Sequence, residues 1–414
     1  MRTRAADRWL TPIPPGGENG LTSPRYLAAY YFWYFAATGV SEPYLPPYWR
    51  SLGLPPSDLG LLNAIAPAVS VLAPFLWTAY ADATRQGERI FLVNTWIAAL
   101  AALLFPNLAG FWPAAAAVVM YSGFRTSLIP LANSMTFRAL AGRRYGYAAI
   151  RLWGTIGYIL VAIGAGFLMD RMGLRAGMYG IALAMMTCGV VGWAGRSRER
   201  GSVPPVRLEE FLQALRDRRV FVLLLATCLA QVSFGPYTTF FTIHLQQLGL
   251  SRGFAGTAWA LAAGSELFVM LGWTRMSALA SARTWLTAAL AAHAVRWGLF
   301  IMARDPAFLL AIQLTHAFTF GVFYLAGVQT VDAFVPDRLR ATAQGLFASV
   351  TFGLGGLVGN TLAGLLYQPL GMAGLYAVAA VLAAGATVLY WTGTRPALTG
   401  GRVATGHFSG SGSR

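Results

Sequence analysis

Apolar residues run along this chain in long stretches, each ended by a short cluster of Arg, Gly, Pro or Asp, with little of the alternation that marks strands. A stretch of roughly 20 apolar residues is what a helix needs to cross the hydrocarbon core of a bilayer. The pattern predicts twelve such helices, over 26–49, 58–79, 90–108, 112–134, 148–169, 177–194, 220–243, 255–274, 285–303, 306–330, 342–365 and 373–392. Little chain is left for soluble domains, so the expected fold class is an all-α polytopic membrane protein. The longest polar interruption, RSRERGSVPPVRLEEFLQALRDRRV from Arg196, separates six predicted spans from six. Within it Leu208, Phe211, Leu212 and Leu215 have the spacing of an amphipathic helix lying on the membrane surface.

Weak repeats obey the same division. LGL at 52–54 recurs at 248–250, Trp77 recurs at Trp273, and GFLMDRMG at 166–173 is echoed by GLLYQPLG at 364–371. Their nearly equal offsets predict two pseudo-symmetric six-helix bundles with a substrate site between them at mid-membrane. The expected division is an N-terminal segment 1–25, a first bundle 26–195, a linker 196–219, a second bundle 220–393 and a flexible tail 394–414. Residues 1–25 contain no apolar signal-like core, so the first span is expected to be an uncleaved anchor.

Composition agrees with a membrane protein: 56% of the 414 residues are hydrophobic and 11% are charged. The formal net charge of +16 reflects topology, because 23 of the 31 basic residues, all Arg, fall in segments expected on one side and five on the other. That bias places both termini in the cytoplasm and makes a nucleic-acid partner unnecessary. Cys188 and Cys228 lie in separate apolar spans with no His or Cys at ligand spacing, so neither a disulfide nor a metal site is expected. No Walker A segment, hydrolase, kinase or dehydrogenase signature occurs, which leaves the proton gradient as the expected energy source and no cofactor.

The candidate chemistry is the set of ionisable residues stranded in apolar spans. Glu266, Arg296 and His316 fall in three consecutive C-terminal spans, where a charge costs at least a few kcal/mol and persists only if it faces a protein interior or wet cavity. Arg125 and Arg151 occupy the N-terminal half, and Tyr30, Tyr34, Thr38 and Glu42 follow one another at intervals of four on the first helix. Glu42 reads equally well as a rim or cap residue. Trp259, seven residues before Glu266, is a candidate wall for an aromatic ring, or a core or lipid-facing Trp. Gln231 and Tyr237 flank a Gly-Pro break of the kind found near transport sites.

Four segments give the chain a family resemblance: YGYAAIRLWGTIGY (145–158), SELF (265–268), AVRWGLF (294–300) and QLTHAFTFGVFYLAG (313–327). It resembles the major facilitator superfamily, in particular the phenylpropionate permease group, with the lactose permease as a more distant relative. The family's loop motif after the second helix is degenerate in WTAYADATRQGER (77–89), which keeps Asp82 and Arg85 as candidate gating residues but has Thr78 where Gly is usual. The resemblance implies that Glu266 contributes to the substrate site, that Arg296 and His316 belong to the coupling network, and that Arg151 contacts substrate. Two departures stand out. Asn133 occupies the place of a Glu that would pair with Arg151, and Thr319 occupies that of the Glu carrying the coupling proton.

Without the helix-four acid, Arg151 is free to take a substrate carboxylate bidentately, with Arg125 as a second positive charge, Asn133 in the substrate site, and Tyr30, Tyr34, Trp153 and Tyr158 to pack an aromatic ring. The alternative is that Arg151 pairs with Glu42 and holds helices together. For coupling, protonation of Glu266 or His316 would release Arg296 from an ion pair; the alternative is a static Glu266–Arg296 tether. The expected function is therefore proton-coupled symport of a small organic anion by a monomer in the bacterial inner membrane. Sugar or nucleoside transport, export, and a membrane sensor that binds without transporting are the competing functions.

Overall fold

The computed structural model describes residues 23–140, 146–195, 217–336 and 339–394, except for the side chains of Asp82 and Ala341. The segment 1–22, the proposed surface helix at 208–215, the tail from 395 and the side chain of the gating candidate Asp82 lie outside the described residues.

The described chain is helical: α1 (Pro24–Ser51), α2 (Pro56–Thr84), α3 (Gly87–Ala102), α4 (Phe111–Arg125), α5 (Leu128–Ala139), α6 (Tyr147–Met172) and α7 (Leu174–Ala194) precede the central linker. After it come α8 (Arg218–Val232), α9 (Gly235–Gln247), α10 (Arg252–Met276), α11 (Ala282–Met302), α12 (Pro306–Gln313), α13 (Phe323–Phe334), α14 (Arg340–Ala348) and α15 (Gly355–Gly393). Among the described residues, ten helices, some formed by consecutive segments, are long and apolar enough to span a membrane. The difference from the twelve predicted spans has two causes. Although α1 has 28 residues, about 42 Å of helix, its Glu42, Tyr and Pro content keeps it outside the ten. The last two predicted spans merge into one run, Thr342–Gly393, interrupted at Gly371 with φ +61° shortly after Pro369.

Other predicted spans are broken inside the membrane. Pro236 cannot donate to the carbonyl of Val232, and the chain turns at Ser233 and Phe234 between α8 and α9. Wide π turns occupy Ala317–Val322, immediately after His316, and Ser349–Leu354. Such turns leave backbone groups available and often mark functional positions. Among the described residues four helices start under a side-chain cap: Asp217 accepts from Arg219 N at 2.8 Å, Ser251 from Phe254 N, Ser281 from Thr284 N and Asp305 from Phe308 N.

In the N-terminal group α1 packs on α6 and α7, α3 on α4 and α7, and α2 on α4; in the C-terminal group α15 packs on α8 and α11. The two groups meet through α6 with α10, α2 with α15, and α1 with α9. Tyr26 against Gly195 and Val222 against Gly393 mark the near end of the molecule, and the turns at 52–55 and 248–251 the remote end.

The apolar core shows where the groups join. One cluster runs through the N-terminal helices and into the remote parts of α9, α11 and α15, including Phe241, Phe300 and Tyr376. A second is confined to the near-end part of the C-terminal group, around Leu223, Leu290, Phe323 and Phe347. Remote-end packing is therefore continuous across the groups, and near-end packing is not. Backbones touch closely where they cross: a Cβ on Gly60 would lie 2.5 Å from the Asn360 carbonyl oxygen, and one on Gly256 would lie 2.2 Å from that of Ala162.

Candidate functional site

The three C-terminal ionisable residues come together as a chain. Arg296, on α11, is fully buried; its Nη1 donates to His316 Nδ1 at 2.6 Å and Thr319 Oγ1 at 2.8 Å, and its Nη2 to Gln313 Oε1 at 3.1 Å. Gln313 Oε1 also accepts from the Tyr237 hydroxyl at 2.9 Å. The guanidinium lies 4.6 Å from the centre of the Tyr237 ring and 5.3 Å from that of Trp297. At the other face of His316, Nε2 is 2.9 Å from Glu266 Oε1, whose side chain is 18% exposed.

These contacts fix the tautomer. A guanidinium only donates, so His316 Nδ1 accepts and is unprotonated. The ring proton of the neutral imidazole must then sit on Nε2, where it is donated to Glu266. Glu266 and Arg296 consequently do not form the direct ion pair expected from sequence: His316 stands between them. A second proton on His316, at Nδ1, would set two donors face to face and break its bond to Arg296.

In the N-terminal group two arginines are held differently. Arg125 donates through Nη2 to Thr38 Oγ1 and lies over the Tyr34 and Tyr121 rings, 4.5 and 5.5 Å from their centres. The charge of Glu42, which is exposed in mid-structure beside Tyr158, also reaches it. Arg151, on α6, has no hydrogen bond or ion pair with any described residue; it stacks on Phe35 at 3.9 Å and lies 5.7 Å from the Tyr31 ring. Its charge reaches Glu266 across the groups, while that of Arg296 reaches Glu266 from within the C-terminal group.

Asn133, in place of an acid, forms a small polar hub. Its Oδ1 accepts from Tyr31 at 2.6 Å and from Tyr147 at 2.9 Å, which leaves its amide N–H groups without a described partner. A carboxylate placed against Arg151 would thus meet a guanidinium fork between the Phe35 and Tyr31 rings, and Tyr31 links that place to Asn133.

Other candidates sit elsewhere. Tyr30 is fully buried, bonded to Thr95 on α3 and packed on Phe91, away from Arg151. Trp259 donates to Thr242 Oγ1 at 3.0 Å and packs 4.7 Å from Tyr237. Arg85 is exposed at the near end of α2 in a positive-φ turn. His293 donates from Nδ1 to the Ala289 carbonyl at 2.7 Å, outside the relay. The structure adds Tyr31, Phe35, Tyr147 and Gln313, which the sequence did not single out. Among the described residues no group of His, Cys, Asp and Glu is arranged to hold a metal, and both Cys are buried.

Comparison with known proteins gives consistent results. A model described as the MFS_1 like family matches residues 25–378. The maltose permease of Geobacillus stearothermophilus is 27% identical over 333 residues, covering 79% of this chain and 83% of the permease. The "Probable 3-phenylpropionic acid transporter" of Escherichia coli (strain K12) is 26% identical over 385 residues, covering 89% of this chain and 97% of its own length. The crystal structure of the nucleoside transporter NupG superposes with a TM-score of 0.81 over 89% of this chain and 98% of NupG at 16% identity, a likeness of fold.

Proposed function

The chain belongs to the MFS_1 like family of major facilitator transporters and is not an enzyme, and from that premise we propose that it is a proton-coupled symporter of a small organic anion, an aromatic monocarboxylate in particular. The observation that carries the reading is Arg151. Of Arg125, Arg151 and Arg296, Arg296 is met by three polar side chains and Arg125 by Thr38 and the charge of Glu42. Arg151 has only aromatic faces. A guanidinium that no protein carboxylate meets in a hydrogen bond or ion pair is a site for a ligand anion. The relatives' names span a sugar, an aromatic acid and a nucleoside, and Arg151 beside Asn133 favours the acid.

The relay supplies the coupling. With His316 neutral, Arg296 is tied to it and Glu266 accepts its proton; protonation frees Arg296 and lets the loaded carrier reorient. We place two six-helix bundles, 26–195 and 220–393, on either side of the cavity. In this reading α1 and the two halves of Thr342–Gly393 complete twelve crossings, and the excess of Arg puts both termini in the cytoplasm of a bacterial inner membrane. Packing that is continuous only at the remote end then corresponds to an inward-open carrier. The carrier works as a monomer without cofactor, with Asp82 and Arg85 at its inner gate.

The test is proton movement in proteoliposomes challenged with aromatic carboxylates, nucleosides and disaccharides under an imposed pH gradient. Flux triggered by an aromatic acid alone, and abolished by Arg151→Gln, is the expected result. Flux with a nucleoside or sugar that survives Arg151→Gln would make Arg151 structural, and saturable binding without flux would favour a sensor.

A further inference from the structure

At the remote end, Asp170 near the C-terminus of α6 reaches across to the start of α10. Its Oδ1 accepts from Arg252 N at 2.9 Å and its Oδ2 from Gly253 N at 2.8 Å, so a carboxylate of one helix group caps a helix of the other. Arg252 Nη1 donates to the Met169 carbonyl at 2.9 Å and lies 4.0 Å from Asp170 Oδ1. The Tyr44 hydroxyl donates to the carbonyls of Ala162 and Arg252, each at 3.0 Å. These contacts form a latch between α6 and α10.

The latch is not a by-product of the internal repeat. At the offset that relates LGL 52–54 to 248–250, Arg252 corresponds to Pro56, which has no N–H to donate; Asp170 corresponds to Gln368 in GLLYQPLG. The second seam, between α2 and α15, is closed instead by neutral groups. Asn63 donates to Thr239, and Asn360 accepts from Thr238 and Thr239 while donating to the Asn63 carbonyl.

Beside the latch lies an open groove of about 450 Å³ lined by Tyr48, Ser51, Asn107, Leu174, Arg175 and Arg252, among others, with no carboxylate in its wall. Arg175 spends one nitrogen on Asn107 Oδ1 at 2.7 Å, and Arg252 Nε is buried with no partner. We propose that this groove is a second, outer site for a small carboxylate anion, and that filling it draws the Arg252 guanidinium from Met169 and Asp170 and so opens the latch. A carboxylate that takes the Nη1 edge of Arg252 competes with Met169 and Asp170 for the same N–H groups, so anion capture at the surface is converted into loosening of α6 from α10. The assignment of the groove to the outer face rests on the orientation proposed above. Its volume and its Tyr48 and Leu174 walls suit an aromatic ring as well as a carboxylate.

The reporter is Thr239→Cys in a Cys188→Ala, Cys228→Ala background. Thr239 is 2% exposed and belongs to the other seam, so its alkylation by an impermeant maleimide reads the opening of the remote end without touching the latch. Asp170→Asn is expected to raise the alkylation rate about tenfold, the loss of a charge-assisted cap. In phosphatidylcholine vesicles, external 3-phenylpropionate is expected to raise it about fivefold, saturably. That rise should disappear in Arg175→Gln and persist in Arg151→Gln, whose central site is lost. A rise that Arg151→Gln abolishes and Arg175→Gln leaves intact would assign the effect to the central cavity and overturn the proposal. So would no rise with acid in a protein that Asp170→Asn still opens. Opening by phosphatidylglycerol alone, without acid, would give the groove to a lipid headgroup. Transport that survives Arg151→Gln would defeat the organic-anion function while leaving the groove result standing.

Discussion

Arg296 and Arg151 are chemically identical, both intramembrane and both stacked on aromatic rings, yet the structure treats them in opposite ways. Around Arg296 it places three acceptors within 3.1 Å, full burial and a histidine whose tautomer the guanidinium dictates. Around Arg151 it places the Phe35 face at 3.9 Å and the Tyr31 ring at 5.7 Å, and the Tyr31 hydroxyl is already given to Asn133. A buried cation met by several acceptors organises its surroundings, and removing it strands every group that faced it. A cation lacking an acceptor contributes little to the fold and holds its binding capacity for something that arrives later.

That contrast is broken or sharpened first by stability. Arg296→Gln leaves His316, Thr319 and Gln313 with unmatched polar atoms in a dry core, and a cost of about 3–5 kcal/mol is expected. Thermal unfolding in detergent should show a large drop in Tm. Arg151→Gln removes a charge that no protein group meets in a hydrogen bond or ion pair, so its Tm should lie near the wild type while transport falls at least about 100-fold. Equal losses of Tm in the two variants would erase the distinction.

Glu266→Gln tests the relay at smaller amplitude. The amide oxygen still accepts the His316 Nε2 proton, so the fold and substrate binding should hold, while a neutral residue can no longer share a proton with His316. Counterflow should proceed near the wild-type rate and accumulation driven by a pH gradient should vanish. Full gradient-driven accumulation in this variant would remove Glu266 from the coupling step.

Much of this was legible in the sequence because membrane crossing imposes a coarse code. Length and apolarity placed nearly every helix, and the linker and the Gly-Pro break fell where the chain divides and turns. The failures are geometric. Tyr30, Tyr34, Thr38 and Glu42 were expected on one face, but a step of four residues advances an α-helix by about 40°, so three steps turn it by about 120°. Tyr30 therefore meets Thr95 in the core, while Glu42 is exposed and Tyr31 takes the place beside Asn133. Trp259 does share a face with Glu266, but it lies two turns toward the remote end, where the groups are packed together. Nor can spacing tell which of the three groups stands in the middle; that depends on how α11 packs against the π turn after His316.

The smallest effect bears on why Arg151 tolerates its lack of an acceptor. Its guanidinium is held against Phe35 by the ring quadrupole, an interaction of about 0.5–1 kcal/mol at partly exposed sites. A Phe ring cannot compete with a carboxylate for the N–H fork, so it orients Arg151 and leaves the fork open. Phe35→Leu keeps the apolar wall and removes the quadrupole, and the guanidinium loses its fixed plane. The expected result is a rise in KM for the aromatic acid of about two- to fivefold with kcat and Tm nearly unchanged. Phe35→Tyr, which keeps the ring face, should restore the wild-type KM. A Leu variant with unaltered KM would mean that backbone packing at Gly154, whose added Cβ would lie 2.8 Å from Arg151 Nη1, positions the arginine instead.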